Sequence, residues 1–518
     1  MKSLAKFGFS FVMAIFLHGL ALWADSTKPS RPNVVIIYAD DMGWGDMSCQ
    51  NSHSKIQTPH LDQLSRDGLR YTDAHSSSGI CTPSRYALLT GKHHWRKFHK
   101  IVSGFGPSVF DKGEFTMAEM FRSVGYRTAA IGKWHLGWDW DSIKKENAKK
   151  VMLPYKEGRT YPSYLPKDFY WHKKIQGGPT SVGFDEYFGD GTINFPPYAW
   201  IENDKVIMEP SVLIDSSKCL PLPEEGQWGL RPGPAQKNWD PYQVLPTLLN
   251  RSVDWIQEQN SKKPFFLYFA LPSPHTPIIP SEEYRGKSKV GAYGDFMLQT
   301  DDVVGAVVEA LKTSGHADNT IIVFTSDNGP EYHAYDRMEE FDHLSSGHFR
   351  GLKRDLWEGG HRVPWIVVWP EVIQAGRVSD RVINQVDLAA TFAKIIGYDL
   401  AEGEAMDSYD FSEHWTSESD GPIRKATVHN TVEGAYALRM GDWVWVDAEQ
   451  GDHPHNNVPD VYIKSRNYQK VSRNGFLFNL KQDPSQSKNL IHRYPEKVSE
   501  MRRILNRYVA GEACVTRE

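Results

Sequence analysis

Pro32-Asn33-Val34-Val35-Ile36-Ile37-Tyr38-Ala39-Asp40-Asp41 is an unbroken apolar run that ends in two carboxylates. An apolar run without polar alternation is the pattern of a strand buried on both faces of a parallel sheet. The pattern recurs at 126–132, at Phe265-Phe-Leu-Tyr-Phe-Ala270 and at 319–326, with a fifth strand expected over 365–369. Helix signals lie between these runs. Thr58-Pro59 opens a helix that Gly68 stops, Thr116 caps another that ends near Gly125, and 293–314 reads as an amphipathic helix stopped by Gly315. Strand–helix alternation of this kind predicts an α/β fold whose large, mainly parallel central sheet is flanked by helices. From residue 426 onward the pattern becomes hairpin-like, with Asn474-Gly475 as a turn signal and a last helix over 496–509. We therefore expect a catalytic domain over 31–425 and a smaller C-terminal antiparallel sheet plus helix over 426–518.

Each of the four main strands delivers polar groups at its carboxyl end: Asp40 and Asp41, Lys133 and His135, His275, and Asp327 with Asn328. In open α/β sheets that edge is where ligands bind. Adjacent carboxylates after a buried strand are costly unless a cation or hydrogen bonds compensate them, so Asp40 and Asp41 are read as metal ligands. Lys133 and His135, two apart, share a face in an extended chain and suit an anion site with proton transfer. His275 sits between prolines and is held in place.

A further stretch, Ser78-Gly79-Ile80-Cys81-Thr82-Pro83-Ser84-Arg85, has the signals of a helix start. Pro83 suits a first turn, Gly91 suits the end, and Cys81 is expected just before the N-terminus, where the helix dipole favours an anion. Arg85, one turn on, can face the same spot. The plain alternative is a buried or N-capping cysteine.

Cys81-Thr-Pro-Ser-Arg85 followed by Leu88-Leu-Thr-Gly91 resembles the signature of the type I sulfatases of the alkaline phosphatase superfamily. The likeness runs through Gly183-Phe-Asp-Glu-Tyr-Phe-Gly189, Phe349-Arg-Gly-Leu-Lys353 and Leu477-Phe-Asn-Leu-Lys-Gln-Asp-Pro484. It implies an arylsulfatase-like hydrolase whose Cys81 is oxidised by a formylglycine-generating enzyme to formylglycine (3-oxoalanine). One hydroxyl of the hydrated aldehyde then attacks sulfur, and the other lets the adduct collapse and release sulfate. It also implies that Asp40, Asp41, Asp327 and Asn328, with the modified Cys81, hold one divalent cation. An all-oxygen set favours Ca2+. Arg85 would tune the nucleophile, Lys133 and Lys353 would contact sulfate oxygens, and His135 would be the base. His275 would protonate the leaving alcohol or assist a lysine that does. The sequence departs from the pattern at Lys92, His348 and His361.

The expected substrate is a sulfated carbohydrate, since residues 138–250 form an irregular, aromatic-rich stretch of the kind that shapes clefts. The alternatives are a phosphodiesterase or phosphonate monoester hydrolase of the same superfamily, or a non-catalytic glycan-binding protein with Cys81 unmodified. A net charge of −5 gives no basic field for nucleic acid. The local basic run Lys92–Lys100 is read mainly as complementing a helix C-terminus, with Arg96 and its histidines as weaker substrate contacts. A basic start, an apolar run over 7–23 and Ala24-Asp25 resemble an export signal spanning 1–24, giving a periplasmic or secreted protein without stable membrane insertion. The alternative is an uncleaved anchor. If Cys81 is modified, Cys49, Cys219 and Cys514 allow at most one disulfide.

Overall fold

The computed structural model describes residues 31–155, 158–214, 230–260, 262–417, 421–431 and 434–515. The expected export signal and Cys219 lie outside them. Residues 32–518 form one compact unit.

Its centre is a ten-stranded sheet. Asn33–Ala39 pairs in parallel with Thr320–Ser326 on one side and Phe265–Ala270 on the other. Arg127–Lys133 and Glu186–Gly191 continue the parallel run. Beyond Thr320–Ser326, Trp365–Val368 joins antiparallel. The two faces of the central strand feed two separate cores. Val34, Ile36 and Tyr38 pack with the helices Cys81–Thr90, Met117–Ser123 and Leu388–Ile396. Val35, Ile37 and Ala39 pack with Pro59–Asp67, Val244–Gln257 and Gly291–Thr313. Burial on both faces is why the strand carries no polar alternation.

The second sheet has four antiparallel strands, Thr427–Asn430, Tyr436–Met440, Trp443–Asp447 and Phe476–Asn479. The helix Pro495–Val509 covers one face through Val498, Met501 and Leu505. The other face packs on Leu356 and Trp357, just after Lys353.

Several local expectations change. Asn474-Gly475 is not the hairpin turn; Gly441-Asp442 joins the paired strands. Gly475 precedes Phe476–Asn479 with φ +84°, and a Cβ there would lie 2.4 Å from the Val446 carbonyl oxygen, so the glycine serves a close approach. The 138–250 stretch contains the hairpin Val151–Pro154/Thr160–Ser163 and the strand Glu186–Gly191. The loop over 330–350 contains the helix Ala334–Phe341. The Lys92–Lys100 run does not serve a helix dipole. Arg96 pairs with Asp407 at 2.6 Å, Lys97 with Glu114 at 2.8 Å, and His93 and His94 are buried. Asp407 lies 311 residues from Arg96 and Glu114 lies 17 from Lys97, and only tertiary packing reveals either pairing.

Arg439 of the small sheet reaches the large one, with Nη2 2.7 Å from Asp73 Oδ2 and Nη1 3.0 Å from Asp73 Oδ1. Arg362 pairs with the same carboxylates, at 2.8 Å from Asp73 and 2.6 Å from Glu358, and all four groups, Asp73, Glu358, Arg362 and Arg439, are largely out of water. Arg439→Met removes one of the two guanidiniums on Asp73 and leaves Arg362 in place, so it should destabilise the protein by about 1–3 kcal/mol in chemical denaturation. A loss below about 1 kcal/mol would mean the contact is solvated.

Candidate active site

Parallel pairing sets Ala39 against Ser326, so the residues that follow, Asp40 and Asp327, leave the sheet side by side. Asp41 turns back with φ +63°, a conformation uncommon for a residue with a Cβ. Its N–H donates to Asp327 Oδ1 at 3.1 Å, and Asn328 Nδ2 donates to Asp41 Oδ1 at 2.7 Å. All four side chains are buried.

Cations from three other segments meet them. Arg85, in the first turns of the helix Cys81–Thr90, donates through Nη2 and Nε to Asp327 Oδ2 at 2.7 and 3.1 Å. Lys133 Nζ bonds Asp40 Oδ2. Lys353 Nζ lies 2.7 Å from Asp41 Oδ1 and 3.3 Å from Glu331 Oε2, and Arg354 holds Glu331 at 2.7 Å. Four carboxylates (Asp40, Asp41, Asp327, Glu331) thus face four cations (Arg85, Lys133, Lys353, Arg354). Burial pushes Asp40 up, but Lys133, Arg85 and Lys353 outweigh it and hold it below the usual carboxylate range. Burial raises Asp41 against the pull of Lys353, and it raises Asp327 with help from the Asp40 charge.

Cys81 is the first residue of its helix rather than the one before it. Its Sγ, one oxygen each of Asp40 and Asp41, and a nitrogen of His275 all lie within 4.8 Å of one another. Burial pushes the thiol up to about 12 against Lys133 and Lys353.

Lys133 and His135 do reach one site, though not by strand alternation. The register shifts between Ile131 and Lys133, and His135 turns out of the strand with φ +52°. Its Nε2 is 2.8 Å from the Val102 carbonyl oxygen, which can only accept, so the proton sits on Nε2. Nδ1 is buried without a hydrogen-bond partner. Burial, Lys133 and Arg85 keep the ring neutral by pulling it well below its ordinary value. His275 Nδ1 contacts the Thr276 carbonyl oxygen, Nε2 lies 3.6 Å from Asp41 Oδ2, and burial pulls the ring down to about 3. Lys353 is held cationic: burial lowers it, but Asp41, Cys81 and Glu331 together outweigh that and raise it.

The sequence-predicted residues Asp40, Asp41, Cys81, Arg85, Lys133, His135, His275, Asp327, Asn328 and Lys353 therefore converge. Three neighbours went unread. Glu331 and Arg354 complete the charge set, and Arg354 has φ +77°. Asp190 lines a narrow cleft with His135, Phe105, Trp138, Thr192 and Phe195. Both of its carboxylate oxygens are buried without a partner. Nothing local to Gly189-Asp190-Gly191 marks that aspartate as special.

Comparison with known proteins identifies the family. The Sulfatase family profile matches residues 32–398. The chain is 29% identical to an N-acetylgalactosamine-6-O-sulfatase of Bacteroides thetaiotaomicron over 92% of both chains. It is 30% identical to arylsulfatase A of Bos taurus, covering 94% of this chain and 89% of that one. A solved structure described under the metabolism of multiple glycosaminoglycans by Bacteroides thetaiotaomicron superposes with a TM-score of 0.78 at 26% identity, covering 93% of this chain and 100% of that one.

Burial raises Asp190 from 3.8 to about 7. The folded chain then keeps a proton that the unfolded chain has released, so wild-type stability falls as pH rises from about 4 through about 7. Such a shift corresponds to an order of magnitude of about 4 kcal/mol above that window. Asp190→Asn removes the charge. Its stability relative to wild type should rise between pH 4.5 and 8 in urea unfolding, whereas a flat difference would show a solvated carboxylate.

Proposed function

The chain belongs to the sulfatase family and is a sulfuric ester hydrolase, and from that premise we propose how its buried charge cluster acts and on what. Asp40, Asp41, Asp327 and Asn328 hold one divalent cation, with residue 81 beside them. The observation that carries this reading is a pair of under-satisfied oxygens: Asn328 Oδ1 is buried without a hydrogen-bond donor, and Asp40 Oδ1 is buried with no hydrogen bond and the Arg85 guanidinium at 3.5 Å. Acceptors left this way call for a cation. The donors are all oxygen, which selects Ca2+ over zinc. When bound, the ion supplies positive charge to the sulfate oxygens.

Residue 81 works as formylglycine, installed by a formylglycine-generating enzyme. A thiol held at about 12 is almost entirely protonated at neutral pH and is a poor nucleophile. The hydrated aldehyde supplies a hydroxyl nucleophile in its place.

The chain's own side chains then divide the work. Arg85, fixed by Asp327, keeps a guanidinium beside residue 81. Lys133 and Lys353 bind the ester's sulfate oxygens and offset the charge that grows as the S–O bond lengthens. Neutral His135, with its proton committed to the Val102 carbonyl, offers the Nδ1 lone pair as base. Lys353 carries a proton at neutral pH and His275 does not, so Lys353 gives its proton to the leaving alkoxide oxygen and His275 orients it. Because the protein charges already balance, a divalent cation makes the pocket positive and draws in a monoanionic ester.

The substrate class is a sulfated carbohydrate. Its support is the relative named for N-acetylgalactosamine 6-O-sulfate, together with the aromatic cleft of Phe105, Trp138 and Phe195 beside His135. Residues 1–24 serve as an export signal, which places the mature enzyme in the periplasm or outside the cell. Residues 31–425 carry the catalysis, and 426–518 form the supporting subdomain.

The test is release of inorganic sulfate from a panel of sulfated glycans and matched phosphate esters. Residue 81 is verified by peptide mass, which falls by about 18 Da on conversion. Cys81→Ala should abolish release and leave the fold intact. No release from any ester by the converted enzyme would overturn the reading, and faster phosphate ester cleavage would favour the phosphoesterase alternative. Lys353→Gln should lower kcat by about 100- to 1000-fold, the scale expected for removing a group that stabilises developing charge. A loss below tenfold would remove Lys353 from that role.

A further inference from the structure

His75, His361 and His429 meet away from the Asp40 cluster, where the small sheet lies on the large domain. His75 ends the strand Ala74–His75, His361 closes the short helix Glu358–His361, and His429 lies in the strand Thr427–Asn430. All three are buried, and one nitrogen of each lies within 4.8 Å of the others.

Their hydrogen bonds do not close. His75 Nε2 is 2.7 Å from Asp73 Oδ1, and His361 Nε2 is 3.4 Å from the Leu356 carbonyl oxygen. Both partners only accept, so each Nε2 carries the proton of a neutral ring. The two Nδ1 atoms are then both lone-pair donors, yet they face each other at 3.1 Å. His429 stacks on His361 at 3.6 Å, and neither of its ring nitrogens has a hydrogen-bond partner. A bridging proton is disfavoured: burial lowers both rings, and Glu358, with Asp73 at His75, raises them by less.

We propose that these three histidines form a second metal site, for a divalent transition ion of the zinc class. Imidazole nitrogens select such ions, whereas calcium takes oxygen donors. Two nitrogens on a tetrahedral zinc, each at about 2.0–2.1 Å, stand about 3.3 Å apart, close to the Nδ1–Nδ1 spacing here. Asp73 on the far nitrogen of His75 is the carboxylate–histidine–metal arrangement that fixes tautomer and ring orientation. Parallel rings aim their lone pairs alongside each other, so binding all three nitrogens tilts His429 out of its stack.

The ion would join three segments around the Cys81 stretch. Ser76 N–H donates to the His361 carbonyl at 2.8 Å, and Ser78 Oγ donates to the Asn430 carbonyl at 2.7 Å. It would therefore brace the loop that presents residue 81 without touching substrate.

Untagged full-length protein is saturated with Ca2+, incubated with Zn2+ or Co2+, and desalted, and bound metal is measured by elemental analysis. Wild type should retain one equivalent, show the visible bands of nitrogen-ligated tetrahedral Co2+, and gain thermal midpoint. His429→Phe keeps the ring stack and should lose the retained equivalent, while Asp327→Asn should keep it. Retention by His429→Phe equal to wild type, or no retention by wild type, overturns the site. If His429→Phe fails to fold, the wild-type cobalt spectrum decides alone, and absence of those bands overturns the proposal.

Discussion

Carboxylates fully removed from water at the ends of two neighbouring strands set the terms for the rest of this molecule. Each buried ion costs several kcal/mol unless paired in good geometry. Asp40 and Asp327 are placed side by side by the parallel register of Asn33–Ala39 and Thr320–Ser326, and no adjustment of rotamers can separate them. Compensating charge must therefore come from elsewhere in the chain. It arrives from a helix start (Arg85), a third strand end (Lys133) and a loop over 300 residues downstream of Asp41 (Lys353). The sheet order is thus tied to the site: Thr320–Ser326, beside the central strand, brings Asp327, and Arg127–Lys133, one strand beyond Phe265–Ala270, brings the Lys133 counter-charge.

The same constraint explains why the small sheet matters to the site. Lys353 sits on a loop with no regular structure, and long side chains on loops wander unless their backbone is held. Here its N–H donates to the Pro330 carbonyl at 2.9 Å, and Asn456 Nδ2 donates to the Lys353 carbonyl at 2.9 Å. Asp355 accepts from the backbone N–H groups of His453 and Leu352, and Leu356 and Trp357 pack under the four-stranded sheet. The C-terminal part therefore positions Lys353, the lysine paired with Asp41, from behind.

Much of this was legible in the sequence, and the reason is periodicity. Strands buried on both faces leave a continuous apolar signature, so the four strand ends and their polar residues could be read off directly. Arg85 was legible because its spacing from a helix start is fixed. The legible part stopped where the backbone departs from regular geometry. Asp41, His135 and Arg354 all adopt positive φ without being glycine, and no propensity marks them. Lys133 and His135 were placed correctly for a wrong reason, since a register shift and a turn bring them together where alternation does not. Asp190 carries no motif; its unpartnered oxygens exist only once the cleft closes round them. Arg96 looked like part of a basic patch because its carboxylate, Asp407, lies 311 residues away.

Positive φ at three charged or ionisable residues around one site has a common physical origin. Each such residue costs of order 1–3 kcal/mol and persists only where surrounding contacts over-determine it. At Asp41 those contacts are the N–H bond to Asp327 and the pairing with Lys353 and Asn328. At Arg354 they are the N–H bond to the Gly79 carbonyl at 2.7 Å and the Glu331 pair. Gly79 precedes Cys81 by two residues, so the loop bearing Lys353 is bonded directly to the stretch bearing residue 81. The strain is held by the same buried charges it serves to aim, with Glu331 shared between Lys353, which pairs with Asp41, and Arg354.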